Sequence, residues 1–128
     1  MADELTIKTE MSFLKTPTTE VQLQPDEFTV DVTGGDFNYQ TQSIATSAEA
    51  IALGDITTPG YMIVHNTDDT NYVEIGYDDS GFKPTVKLLG GTNSDGTGDW
   101  AIFRHTQAAP QAQANTAACV IEYLLIEA

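Results

Sequence analysis

The chain has one cysteine, two histidines, one tryptophan and five basic residues in 128 positions, and each scarcity closes off a class of protein. A single thiol, Cys119, forbids an internal disulfide, so no covalent staple supports the fold. Its place in the apolar run "AACVIEYLLIEA" predicts a buried, inert group. A nucleophilic cysteine needs a basic partner, and nothing in the sequence brings His65 or His105 to it. The histidines also lack the short spacing and cysteine partners of a zinc site. Five Lys and Arg against nineteen Asp and Glu leave a formal charge of −14. A coat of that sign repels phosphate backbones and anionic membranes, so neither nucleic acid nor membrane is an expected partner. It also favours solubility at high concentration. No stretch approaches the roughly 18 consecutive apolar residues of a membrane span. "MADELTIKTE" lacks the basic-then-apolar pattern of a signal peptide, which predicts synthesis and folding in a cytoplasm. Gly-x-Ser-x-Gly elbows, phosphate loops and dinucleotide fingerprints are missing as well. Nineteen acids form so many pairs that none singles out a glycosidase. The expectation is a protein that is not an enzyme and uses no cofactor.

What is present is an apolar period of two. Leu5, Ile7, Met11 and Phe13 alternate with polar neighbours; so do Phe28, Val30 and Val32, and later Val73, Ile75 and Tyr77. Such segments are strands with one wet face. Turn-forming clusters separate them: "TPT" at 16–18, "QPDE", "TGGD", "TTPG", "TDDT", "DDSG" and "GGTNSDGTGD". Their spacing of about 8–12 residues is that of a sandwich or barrel. The prediction is an all-β chain with little or no helix: a single antiparallel β-sandwich of nine or ten short strands over 1–128, with 1–15 an N-terminal strand or arm. "TSAEAIALG" has a capping-box pattern but is too short for a stable helix, and is read as a strand over 49–53.

Several clusters invite a chemical reading. "NTDDTN" at 66–71 is rich in calcium-type oxygen ligands, yet Asn and Asp are also preferred turn formers, and the expectation is a hairpin turn between two strands. In "NSDGTGDW", Asn93, Asp95 and Asp99 resemble a calcium loop without the spacing or the final bidentate Glu, which leaves weak metal candidates in a surface loop. Trp100 and the tyrosines suit a sugar platform, but on strands of this period they more often fill cores or interfaces. Trp100, Ile102 and Arg104 share one strand face; Ala101, Phe103 and His105 share the other. Two strands, 61–64 and 118–126, are apolar on both faces, the mark of strands covered on both sides. Met62, Val64, Val120, Leu124 and Ile126 are therefore the expected subunit contact.

The stretch "GDITTPGYMIVHNTDDTNYVEIGYDDSGFKPTVKL" at 54–89, with "DWAIFRH" and "QANTAACVIEYLLIEA", resembles small virion proteins of tailed bacteriophages. Such proteins include capsid decoration, or cement, proteins, several of them β-sandwiches of jelly-roll type. The resemblance implies a structural protein at the capsid surface of a virion, binding and stabilising the head, with the major capsid protein as partner and a homo-oligomer, dimer or trimer, as its state. Leu5, Ile7, Met11, Phe13 and Leu14 are the expected docking residues, lying where a segment can order on contact; the same segment could instead form an outer strand of its own sandwich. A tail or baseplate component and a carbohydrate-binding module are the alternatives, since sandwiches host all three.

Overall fold

Side-chain alternation produces strands and no helix in the described residues of the computed structural model, 4–16, 19–106 and 109–128. Twelve strands form there, in two compact units, Met1–Thr33 and Gly34–Ala128. The sandwich thus belongs to the second unit, where the sequence predicts one domain throughout. The surplus over nine or ten strands comes from short pieces such as Leu5–Ile7, Phe28–Val30 and Glu49–Ala50.

In the first unit, β1 (Leu5–Ile7) pairs antiparallel with β4 (Phe28–Val30), and β2 (Met11–Thr16) with β3 (Thr19–Leu23). The break expected at "TPT" falls on 17–18, outside the described residues. Among the described residues β1 and β2 pair within this unit, with β4 and β3, and not as an outer strand of the four-stranded sheets. Ile7 is buried, whereas Met11, Phe13 and Leu14 are exposed.

The second unit holds β5 (Phe37–Ile44), β6 (Glu49–Ala50), β7 (Pro59–Asn66), β8 (Val73–Asp78), β9 (Phe82–Leu88), β10 (Trp100–Arg104), β11 (Gln111–Ala114) and β12 (Cys119–Glu127). They form two four-stranded antiparallel sheets, ordered β10-β7-β12-β5 and β6-β11-β8-β9. The pairings nest: β5 with β12, β6 with β11, β7 with β10, β8 with β9. Winding one long hairpin about the tip between β8 and β9 gives this order. The tip is "DDSG", where Ser80 and Gly81 have positive φ (54° and 121°) and the Asp78 carboxylate accepts the Gly81 N–H at 3.1 Å. A register shift between Ile75 and Gly76 leaves Thr85 as an extra residue on β9, a bulge that lets that strand bend. Only glycine fits at 76, since an added Cβ would lie 1.9 Å from the Lys83 carbonyl oxygen.

Between the sheets lie Ile44, Ile51, Val73, Ile75, Leu88 and their neighbours, nearly all fully buried. β12 contributes Cys119, Ile121, Tyr123 and Leu125, as its alternation predicts. The Tyr123 hydroxyl accepts from Gln40 Nε2 and donates to the Ala52 carbonyl, both at 2.6 Å, so its burial leaves no polar group unpaired. The strand expected at 49–53 is cut to Glu49–Ala50. Beyond it the chain is tied to β5 by amide side chains: Asn38 Nδ2 and Gln42 Nε2 donate to the Ala52 and Ala50 carbonyls, and Gln42 Oε1 accepts the Ala52 N–H.

"NTDDTN" corrects the sequence reading. β7 and β8 belong to different sheets, so the loop is the corner where the chain crosses between layers, not a hairpin. Asn66 is fully buried and donates to the Asn71 and Leu88 carbonyls, while Asp68 Oδ1 accepts the N–H groups of Thr70 and Asn71 at 2.8 and 2.6 Å.

Candidate functional site

The two sandwich faces differ in character. On the outside of β6-β11-β8-β9 stand Glu74, with Lys87 opposite on β9 and Gln113 opposite on β11, a polar face of the usual kind. The outside of β10-β7-β12-β5 is apolar. Register places Ile102, Ile63, Leu124 and Tyr39 side by side, one from each strand. Beside that row run Trp100, His65, Glu122 and Thr41; on its other side Arg104 faces Tyr61, and Ile126 faces Phe37. Phe37, Tyr39 and Trp100 are 68%, 61% and 52% exposed, and Ile102 and Val120 are also open to solvent. Apolar side chains from four adjacent strands make one continuous patch, the kind that marks an interaction site.

A polar seam runs through the patch. The Trp100 and His65 rings stack in parallel, with centroids 4.0 Å apart and planes 6° from coplanar. His65 Nε2 meets Thr97 Oγ1 at 2.9 Å, and its Nδ1 lies 3.8 Å from Glu122 Oε1. The Tyr39 hydroxyl donates to Glu122 Oε2 at 2.6 Å, and that contact with a carboxylate raises the phenol's pKa. Arg104, the only arginine, sits 5.7 Å from the Tyr61 ring centre. Backbone bonds hold β10 in place: Gly98 N–H to the Asn66 carbonyl (2.7 Å), Asn66 N–H to the Asp99 carbonyl (3.0 Å) and Asp99 N–H to the Leu89 carbonyl (2.9 Å). Gly98 is required, since a Cβ there would stand 2.1 Å from the Leu89 carbonyl oxygen.

Of the five residues expected at a subunit contact, three lie on this face and two do not. Val120, Leu124 and Ile126 lie on this outer face. Met62 and Val64 do not: they are 1% and 0% exposed, inside the core, because β7 turns its even-numbered apolar side chains inward and shows Tyr61 and Ile63 outside. Phe37 has no role in the sequence reading, and Tyr39 enters it only among the tyrosines suited to a sugar platform. Their strand reads "FNYQTQSI", with the aromatic residues outside and Asn38, Gln40 and Gln42 inside. This inverts the usual apolar-in, polar-out rule, and only the aromatic spacing hints at it.

A second apolar surface lies in the first unit. Met11 pairs with Leu23 and Phe13 with Val21, so the four side chains share one face of the β2–β3 ribbon, while Ser12 pairs with Gln22 and Leu14 with Glu20 on the other. Met11, Phe13, Val21 and Leu23 are 77%, 58%, 65% and 72% exposed. A two-stranded ribbon without a second layer is marginally stable in water, and this one shows four apolar residues to it. Of the docking residues expected here, Leu5 is half-buried and Ile7 buried on β1, so the exposed ones are Met11, Phe13 and Leu14.

The remaining candidates are absorbed by the fold. Asp95 Oδ1 accepts the N–H and hydroxyl of Thr97, Asp99 accepts from Leu89 N–H and the Thr92 hydroxyl, and the Asn93 backbone closes the same loop. No group of three metal-ligating side chains occurs among the described residues. Burial, with a smaller push from Asp68, raises the Cys119 thiol to about 11, and its Sγ lies 3.6 Å from the Asn71 carbonyl. A cleft of about 240 Å³ beside Phe103, Arg104 and His105 is smaller than the usual ligand pocket of about 300–1,000 Å³. His105 there contacts Met62 Sδ, and burial lowers its pKa.

No known protein family, characterised protein or solved structure matches this chain.

Proposed function

We propose that this is a non-enzymatic structural protein of a phage particle, a capsid decoration protein that docks on the outer surface of the head and stabilises it. The observation that carries the reading is the uncovered apolar face of the β2–β3 ribbon, Met11, Phe13, Val21 and Leu23, in a chain of charge −14. Such a chain stays dispersed before assembly, and its ribbon then has a reason to seek a dry surface. A repeating shell of the major capsid protein offers many copies of one site for such a ribbon. The resemblance of residues 54–89 to phage virion proteins suits the same assignment.

The test is co-sedimentation of the full chain with phage heads lacking it, followed by heating of bare and decorated heads. Saturable binding with a raised disruption temperature is expected, and a Phe13→Asp, Leu23→Asp double variant loses both. Binding to tails instead of heads transfers the protein to the tail or baseplate. One observation favours a second reading, a carbohydrate-binding module: Trp100 and Tyr39 are more than half exposed beside polar partners. Glycan affinity that a Trp100→Ala change abolishes, without head binding, would establish that reading instead.

A further inference from the structure

We infer that the outer face of the β10-β7-β12-β5 sheet is the contact between two copies of this chain, packed face to face. The inference is independent of the docking role given to the β2–β3 ribbon. Three features of the face select a second copy over other occupants.

The first is charge. Nineteen acids cover a chain with five cations, so identical copies repel over most of their surfaces. Across the three rows of this face the ionisable groups are Arg104, Glu122, His65 and the two tyrosine hydroxyls of Tyr39 and Tyr61. Glu122 is already engaged by the Tyr39 hydroxyl. One cation and one anion leave the patch near neutral, which makes it a place where two such chains can approach without opposition. A basic partner would be drawn to the acidic surfaces instead.

The second is area. Phe37, Tyr39 and Trp100 are 68%, 61% and 52% exposed. Aromatic side chains of that kind bury about 150–250 Å² each when covered fully, so these three offer about 300–400 Å². Ile102 and Val120, at 40% and 42%, and the partly open Ile63, Leu124 and Ile126 bring one face to about 600 Å² on the same reckoning. Two faces bury about 1,200 Å², just above the roughly 1,000 Å² that a specific protein interface needs.

The third is shape. The face is an antiparallel sheet with side chains in regular rows, and sheets pack on sheets about 10 Å apart, nearly aligned. A two-fold axis lying in the contact makes one patch complementary to itself, so no second surface has to be supplied.

Trp100 is the only tryptophan and stands in the patch, so the protein carries its own reporter. Sedimentation equilibrium of the full chain from micromolar to millimolar concentration should show a monomer–dimer equilibrium. Over the same range Trp100 emission should shift to the blue and acrylamide quenching should fall. Ile102→Glu and Phe37→Glu place like charges at exposed positions of both partners and should each weaken the dimer at least about tenfold, with an unchanged circular dichroism spectrum. The Phe13→Asp, Leu23→Asp ribbon variant should dimerise as the wild type does. A chain that stays monomeric with Trp100 open to quencher throughout overturns the inference and leaves the face to a capsid subunit or a glycan. A dimer that tolerates both face variants, or one that only the ribbon variant breaks, overturns it too.

Discussion

The amide of Asn66 closes the corner between the two sheets with three hydrogen bonds: Nδ2 to the Asn71 and Leu88 carbonyls at 2.9 and 3.1 Å, and Oδ1 from the Asp68 N–H at 3.0 Å. Two of these are local and belong to any Asn-rich turn. The bond to Leu88 spans 22 residues and ties the corner to the last residue of β9. With the side chain fully buried, Asn66→Ala strands polar groups that water cannot reach, and an unmade buried hydrogen bond costs about 1–3 kcal/mol. The expected outcome is a loss of about 2–3 kcal/mol in urea unfolding, with little change in the slope of the transition. Sequence alone revealed the turn-forming character of "NTDDTN", because that character is local. It could not reveal that β8 would leave the sheet of β7, because that choice depends on which strands arrive at each edge much later in the chain.

At the scale of the strand, β7 and β12 explain why a two-sided apolar pattern is hard to assign. Both read as apolar on each face, and the period of two says only that Met62 and Val64 point together, not which way. Burial decides it: Met62 and Val64 lie in the core, whereas Val120 and Leu124 lie on the outer face. The two sets should separate cleanly in thermal melts at micromolar concentration. Met62→Ala opens a cavity in a close-packed core and should cost about 2–5 kcal/mol. Val120→Ala, at a site 42% exposed, should cost less than about 1 kcal/mol. β5 marks the opposite difficulty. Its inward Asn38, Gln40 and Gln42 are satisfied by the segment 50–52 and by the Tyr123 hydroxyl. A reading by hydrophobicity would place those amides outside and the aromatic residues inside, and so miss half of the apolar face. β8 was legible because its core face, Val73 and Ile75, follows the ordinary rule, with Glu74 turned outward.

For the whole molecule, the balance between charge and apolar contact sets how it responds to its surroundings. A charge of −14 per copy opposes any association of identical chains, and about 0.1 M salt already shortens the reach of that repulsion to about 10 Å. The proposed contact holds few charges, so raising sodium chloride from about 0.02 to 0.3 M should strengthen self-association, read as a lower midpoint concentration in sedimentation. A contact made of ion pairs would weaken instead. The separation into units 1–33 and 34–128 was not legible, since nothing in composition divides the chain and the short strands of the first unit alternate like the rest. The position of β12 has a consequence for how the protein is made. It lies between β5 and β7 and pairs with both, yet it follows them by more than fifty residues. A ribosome therefore delivers the two flanking strands long before the strand that joins them, and the sheet stays unjoined until Glu127 has cleared the exit tunnel. The sandwich must close after translation of that strand, and until then the newborn chain presents the apolar side chains of β7 to water and to any chaperone nearby.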